Sequence, residues 1–128
     1  MKNILVVDDD RSLANLTKLA LEKKGYQVRV LNDGVYVLDE VKRQKPDLIL
    51  MDVLMPKSSG ADTVSQLRKV AEYKSIPVVF LTGLIACDED LESAGLTIDG
   101  SNYTSLGKPY ELENLYRVVE QSLSKAGR

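Results

Sequence analysis

The stretch Ile4-Leu5-Val6-Val7-Asp8-Asp9-Asp10 runs from four apolar residues directly into three acidic ones. A short run that is apolar at every position is typical of a strand buried on both faces, as in a parallel sheet. In open parallel sheets, ligands bind outside the carboxyl ends of the strands. The stretch therefore predicts a buried parallel strand with a polar site at its end.

Similar strand candidates recur along the chain, with helical patterns between them. The further candidates are 28–31, 48–51, 78–81 and, more weakly patterned, 103–106. Short strands that alternate with helices predict right-handed βαβ units and a parallel sheet covered by helices on both faces. The fold class is thus α/β, with a strand and a helix repeated five times.

The first helix is predicted over 11–24, with Asp10 as its N-cap and Gly25 at its end. Apolar residues at steps of three and four mark the side of each helix that we expect to face the core. These residues are Leu13, Leu16, Leu19 and Ala20 in the first helix, Val35, Leu38 and Val41 in the second, Val64, Leu67 and Val70 or Ala71 in the third, Leu91 and Ala94 in a short fourth that begins at Asp88, and Leu112, Leu115, Val119 and Leu123 in the last.

Length and composition indicate one domain, which we place at residues 1–124 with a frayed tail over 125–128. The net charge of −2 argues against a nucleic-acid-binding surface spread over the chain. Cys87 is the single cysteine, so no internal disulfide can form, which fits a reducing compartment. The short apolar run at the N-terminus cannot act as a signal peptide or anchor, so we expect a cytoplasmic protein without membrane association.

The chain contains no histidine, which excludes Ser-His and Cys-His catalysis and the commonest nitrogen ligand for metals. A bound metal would rely on oxygen ligands, which favours Mg²⁺, Mn²⁺ or Ca²⁺.

Polar residues follow four of the predicted strands: Asp8 and Asp9, Asp52, Thr82 and Lys108. The fold would bring them to one sheet edge although they span 100 positions of sequence. Carboxylates about 4 Å apart repel by roughly 1 to 4 kcal/mol per pair at effective dielectrics of 80 to 20. A divalent cation and Lys108 would offset that repulsion, so the cluster predicts a metal site. Taken singly, an aspartate after a strand is often only a turn former or helix cap, which is how we interpret Asp10.

Five motifs, in this order and spacing, resemble the receiver domain of two-component response regulators over almost the whole chain. They are 4–10 (ILVVDDD), 46–52 (PDLILMD), Met55-Pro56 with Gly60, 80–83 (FLTG) and Lys108-Pro109. The resemblance implies a flavodoxin-like (βα)5 doubly wound fold with a five-stranded parallel sheet in the order 2-1-3-4-5. It also implies a phosphoprotein of phosphorelay signal transduction and not an enzyme with an external substrate.

The resemblance assigns a role to each motif residue. Asp52 is similar to the phosphoacceptor, Asp9 to the direct metal ligand, and Asp8 to the acid that holds the metal through water. The Leu54 main-chain carbonyl would complete the protein's share of a Mg²⁺ or Mn²⁺ site. Thr82 and Lys108 would bond the phosphoryl group. Because the sequence contains no histidine, we expect an external donor. The resemblance implies that this donor is a phosphohistidine on a sensor histidine kinase or phosphotransfer protein and that the output is a downstream protein or effector domain, with homodimerisation left open.

Two further expectations concern switching and lifetime. The family's usual switch aromatic on strand five falls here at Ser105, while Tyr103 lies two residues earlier on the same face, so Thr82, Tyr103 and Ser105 are the switch candidates. The stretch 95–102 looks irregular, which predicts an insertion before strand five. Leu54 and Leu84 occupy positions that modulate water access in this family, and two apolar side chains predict slow self-dephosphorylation.

Three other interpretations were weighed. A haloacid-dehalogenase-type phosphatase would use Asp8 as nucleophile, but it needs a further acidic pair after a later strand. A flavin binder would need a phosphate-cradling loop in place of the three aspartates. A pseudo-receiver, an interaction module of the same fold without phosphotransfer, would be expected to lack some of the five site residues.

Overall fold

The computed structural model describes residues 2–52, 54–55, 58–73, 75–82, 96–98, 101–107 and 111–126. The strands within these ranges are β1 (Asn3–Val7), β2 (Gln27–Leu31), β3 (Leu48–Asp52), β4 (Leu54–Met55), β5 (Ser58–Ser59), β6 (Val78–Thr82), β7 (Leu96–Ile98) and β8 (Ser101–Gly107). The helices are α1 (Arg11–Lys23), α2 (Val37–Arg43), α3 (Gly60–Arg68) and α4 (Leu112–Ala126), with 3₁₀ turns at Gly34–Tyr36 and Ala71–Tyr73.

The main sheet has the strand order β2-β1-β3-β6-β8-β7. The first five of these strands are parallel to their neighbours. Counted among themselves in chain order, these five strands stand in the order 2-1-3-4-5 that the resemblance implies. The predicted helix that begins at Asp88 lies outside the described residues.

The main sheet also has a sixth strand that the sequence did not predict: β7 pairs antiparallel with β8 at the sheet edge. The register joins Leu96 to Tyr103 and Ile98 to Ser101. This strand falls in the stretch 95–102 that the sequence analysis treated as irregular. The intervening Asp99-Gly100 is a dipeptide typical of two-residue hairpin loops, and it is the signal that the sequence analysis missed.

The core lies in two layers, one on each face of the sheet, because side chains alternate along every strand. Ile4 and Val6 belong to the layer that includes Leu115 and Val119 of α4. Leu5 and Val7 belong to the opposite layer, with Val37 of α2 and Leu67 of α3. These four apolar side chains of β1 are fully buried. The uninterrupted apolar sequence of β1 is thus explained by helices on both faces of the sheet.

Both predicted ends of α1 are confirmed. Asp10 is the N-cap, and its carboxylate accepts a hydrogen bond from the Leu13 N–H. Gly25 has φ of +94°, and the N–H groups of Gly25 and Tyr26 donate to the carbonyls of Glu22 and Leu21. This is the Schellman arrangement, in which glycine takes the left-handed conformation without a Cβ penalty.

The predicted inward face of α1 is wrong at Leu16 and Leu19, which are 62% and 56% exposed. The residues that pack on the sheet are Ala14, Thr17, Ala20 and Leu21. The Thr17 hydroxyl is satisfied by donating to the Leu13 carbonyl at 2.9 Å, so it can be buried at little cost. Leu16 and Leu19 instead line an open groove, about 440 Å³ in volume, whose other wall includes Leu112 and Tyr116 of α4.

Smaller corrections concern the other helices. Val35 is exposed and lies in the first 3₁₀ turn, so Val37 takes its place in the core beside Val41. Ala71 and Leu112 are also exposed, whereas Val64, Leu67, Leu115, Val119 and Leu123 are buried as predicted. Helix α4 continues to Ala126, two residues into the predicted frayed tail, because its apolar face still packs on the sheet at Leu123.

An ion-pair network joins β2 to α2. Glu40 contacts the guanidinium groups of Arg29 and Arg43, and Arg29 also donates to the Gln44 carbonyl at 2.7 Å. The hydrogen bond from Arg43 and the nearby positive charges of both arginines lower the pKa of the Glu40 carboxyl. The network therefore favours the ionised form of Glu40 in the folded state.

Within the described ranges, no helix combines the length and the apolar character that crossing a bilayer would require.

Candidate functional site

Three carboxylates meet at the carboxyl end of the sheet. One oxygen from each of Asp8, Asp9 and Asp52 lies within 4.8 Å of the other two. Asp8 is fully buried, Asp52 is 5% exposed, and Asp9 faces solvent. The predicted convergence of these acids from β1 and β3 is confirmed. The result is a cluster of two buried carboxylates and one exposed carboxylate.

Strand register explains why residues so distant in sequence meet. Val7 pairs with Met51, so Asp8 and Asp52 are the next residues on two adjacent parallel strands. Asp52 in turn pairs with Leu81, which places Thr82 one position further along β6. Thr82 pairs with Gly107 at the end of β8. The strand ends form one continuous edge.

The turn from β1 into α1 is held by hydrogen bonds within the turn and by hydrogen bonds to the end of β2. The Asp10 N–H donates to Asp8 Oδ1 at 3.0 Å, and Asp10 itself caps α1. The Asp8 N–H donates to the Leu31 carbonyl at 3.0 Å, and the Asn32 side-chain amide donates to the Asp8 carbonyl at 2.9 Å. The turn that carries two of the three acids is thus fixed on both sides.

Some predicted site residues are placed only in part. The main chain of Thr82 ends β6, and that of Leu54 begins β4, two residues after Asp52, but their side chains lie outside the described residues. Ser105 pairs with Phe80 and Tyr103 with Leu96, again at the level of the main chain. Lys108, Pro109 and Leu84 lie outside the described residues.

The donor set fits a small hard cation. Three carboxylates supply hard anionic oxygens, which Mg²⁺ and Mn²⁺ prefer. Their separations of up to 4.8 Å suit a cation bound partly through water, since Mg²⁺ keeps several waters in its shell. A cation would also offset the mutual repulsion of acids in a pocket where burial weakens solvent screening.

Sequence comparison decides the family. The family model described as "Response regulator receiver domain" matches residues 4–120, which include all of the main sheet except Asn3. The chain belongs to the response regulator receiver family. It is 38% identical over 122 residues to the response regulator MprA of Mycobacterium leprae, an alignment that covers 95% of this chain and 51% of that protein.

Solved structures agree with this assignment. The receiver domain of Francisella response regulator 1452 superposes with a TM-score of 0.79 at 26% identity, covering 98% of each chain. The Vibrio cholerae chemotaxis protein CheY4 superposes with a TM-score of 0.80 at 27% identity, covering 95% of this chain and 98% of that one. The flavodoxin-like receiver fold predicted from the motifs is therefore confirmed.

The receiver spans about half the length of the curated relatives it matches, including MprA and the regulatory protein TcrX of Mycobacterium tuberculosis. Activities of those whole proteins are not properties of the receiver by itself.

Sequence reasoning missed Asn32. Asparagine before Asp33-Gly34 looks like an ordinary turn residue, and turns are rich in this residue type. No local signal connects it to Asp8, because the contact spans 24 positions of sequence and depends on the β1–β2 register.

Proposed function

We propose that this receiver accepts a phosphoryl group on Asp52 in a reaction that needs Mg²⁺ or Mn²⁺, and that the modified domain signals to a partner. The observation that carries the proposal is the cluster of Asp8, Asp9 and Asp52. It joins a buried carboxylate at a strand end to two neighbouring acids on another strand.

Asp52 is the nucleophile in this proposal. A carboxylate oxygen attacks phosphorus, a P–O bond forms, and the bond between phosphorus and the donor's leaving atom breaks. With a phosphohistidine donor, the leaving imidazole takes up a proton. Asp52 needs no general base because a carboxylate is already ionised near neutral pH. The protein's contribution is mainly positioning and neutralisation of charge.

Asp9, Asp8 and Asp52 would hold the cation, with the Leu54 main-chain carbonyl as a further ligand. The cation, when bound, supplies positive charge that balances the phosphoryl oxygens. Lys108 follows the last residue of β8 directly in sequence and would pair with a phosphoryl oxygen. Thr82 ends the neighbouring strand and would donate its hydroxyl to another.

Switching would begin at Thr82. A hydroxyl drawn towards the phosphoryl group vacates space beside β6 and β8, and an adjacent side chain can then repack. Tyr103 and Ser105 are the candidates, because they occupy alternate positions on β8, where Ser105 pairs with Phe80 of β6. The antiparallel pairing of Tyr103 with Leu96 means that a change at Tyr103 would also reach the edge strand β7.

The donor in this proposal is a phosphohistidine on a sensor histidine kinase or a phosphotransfer protein, as the resemblance to receiver domains implies. The output is a downstream protein or an effector domain. The length of the curated relatives leaves room for an effector domain in those proteins. The cytoplasm is the compartment in which such a donor and the reduced Cys87 would be found.

The direct test is incubation with a small acyl-phosphate donor and Mg²⁺, followed by intact-mass measurement. We expect the wild-type chain to gain one phosphoryl group, and we expect no gain for Asp52→Asn or after removal of divalent cations by chelation. Glu72→Gln, an exposed change in the second 3₁₀ turn, is the control and should be modified like the wild type. A wild-type chain that gains no mass would support the pseudo-receiver interpretation instead.

A further inference from the structure

Asn32 lies just beyond the last paired residues of β1 and β2, which are Val7 and Leu31. It is half-buried, and its side-chain Nδ2 donates to the main-chain carbonyl of Asp8 at 2.9 Å. The Asp8 N–H donates in turn to the Leu31 carbonyl at 3.0 Å. The two bonds tie the start of the acidic turn to the end of β2.

The Asp8 carbonyl oxygen and the Asp9 Cα belong to one planar peptide unit. A hydrogen bond that fixes this oxygen therefore restricts rotation of the whole unit, and with it the position from which the Asp9 side chain starts. On the other side of Asp9, the Asp10 N–H is held by Asp8 Oδ1 at 3.0 Å, and Asp10 is the N-cap of α1. Asp9 thus lies between two anchored peptide groups.

This anchoring matters for Asp9 in particular because Asp9 is the exposed member of the carboxylate cluster. Asp8 and Asp52 are held by burial in the core, whereas an exposed side chain owes its placement to its main chain. A ligand that is already in position loses less conformational freedom on binding a cation.

We propose that Asn32 is a positioning residue for the metal site and acts on Asp9 through the Asp8–Asp9 peptide. The inference rests on the proposed function, because it assumes that the carboxylate cluster binds a divalent cation. Asn32 is neutral, so it places the ligand without adding a charge that would itself attract or repel the cation. Removal of partners that orient metal ligands commonly lowers metal affinity by a factor of 10 to 100.

The experiment measures Mn²⁺ and Mg²⁺ binding directly, by calorimetry without any phosphodonor, for the wild-type chain, Asn32→Ala and Asn32→Leu. Asp47→Ala is the matched control, because Asp47 Oδ2 accepts a hydrogen bond from the Asn3 N–H at 2.8 Å, at the opposite end of the same strand β1. Thermal unfolding of each variant without metal is recorded alongside.

We expect both Asn32 variants to raise the Kd for the metal about tenfold, and Asp47→Ala to leave it within about twofold. All three variants should unfold at slightly lower temperature, since each loses one hydrogen bond to the main chain at or next to one end of β1. Unchanged metal affinity in both Asn32 variants would overturn the inference, as would an equal loss in Asp47→Ala. A wild-type chain that binds neither ion would instead overturn the proposed metal site on which the inference depends.

Discussion

Asp8 and Asp52 stand side by side at the ends of two adjacent parallel strands, and the two residues are 0% and 5% exposed. Two acids so close and so shielded from water repel each other unless a positive charge is present. The folded chain retains both, together with Asp9 at the open side of the pocket. A divalent cation bound among the three acids would offset this repulsion.

The first prediction concerns Asp8 as a metal ligand. Asp8→Asn removes one anionic oxygen ligand but keeps an oxygen that can accept the Asp10 N–H. We expect the variant to bind Mg²⁺ more weakly than the wild type, because Mg²⁺ prefers carboxylate oxygens. Mg²⁺ at about 100 times its Kd should stabilise the wild type by about 2.7 kcal/mol and the variant much less.

Urea unfolding of both proteins with and without Mg²⁺ measures these differences. Equal stabilisation of wild type and variant by Mg²⁺ would show that Asp8 takes no part in holding the cation.

The second prediction tests the observed face of α1. Leu16 is 62% exposed and Leu21 is fully buried, although both are leucines of the same helix. Leu21→Ala should cost about 2 to 5 kcal/mol through lost burial and the cavity left behind. Leu16→Ala should change stability by less than about 0.5 kcal/mol. A large loss of unfolding free energy in Leu16→Ala would instead support the inward face that the sequence predicted.

The third prediction concerns pH. Arg43 and Arg29 lower the pKa of Glu40 in the folded state below its ordinary value of 4.5. The ionised network then contributes stability above that pH, and the contribution is lost as the pH falls through the lowered folded-state value and Glu40 is protonated. Glu40→Gln should therefore destabilise the protein at neutral pH, and its difference from wild type should shrink in acid.

Unfolding free energies measured across the acidic range check this, with Glu72→Gln as the exposed control. A difference between Glu40→Gln and wild type that stays constant down to the lowest pH would refute the assignment.

The fourth prediction concerns the lifetime of the phosphorylated form. Leu54 and Leu84 follow Asp52 and Thr82 by two positions each, and apolar side chains there should hinder the approach of water to phosphorus. Leu84→Asn and Leu54→Asn should each lose the phosphoryl group faster than the wild type, because a polar side chain there would admit water to the phosphoryl group. A decay time course after removal of the donor gives the rates, and unchanged or slower loss in both variants would contradict the idea.

The strands and the acidic site could be predicted from sequence because their signals are local. Three strands appear as short runs that are apolar at every position, and the acids of the cluster directly follow two of those runs. The parallel order then brings Asp8, Asp9 and Asp52 together whatever the details of packing. The two ends of α1 could likewise be predicted, because each depends on the conformational preference of a single residue, Asp10 at the N-cap and Gly25 after the C-terminus.

What could not be predicted depends on tertiary context. Helix α1 has two regularly spaced faces, one with Leu13, Leu16 and Leu19 and a second with Ala14, Thr17 and Leu21. The leucine face is the more hydrophobic, so the sequence predicts that this face is buried. The second is buried because the cap at Asp10 and the position of β1 set the rotation of the helix. Strand β7 could not be recognised because the composition of its stretch is irregular. The role of Asn32 could not be recognised because its hydrogen-bond partner, Asp8, lies 24 positions away in sequence.

The central claim is that Asp52, and not its neighbour Asp8, receives the phosphoryl group. Borohydride reduces an aspartyl phosphate to homoserine, so peptide mass spectrometry after treatment with phosphodonor, Mg²⁺ and borohydride reports which aspartate was modified. We expect homoserine at position 52 in the wild type and none in Asp52→Asn. Homoserine at position 8, as a phosphatase of the haloacid dehalogenase type would give, or at neither position, would contradict it.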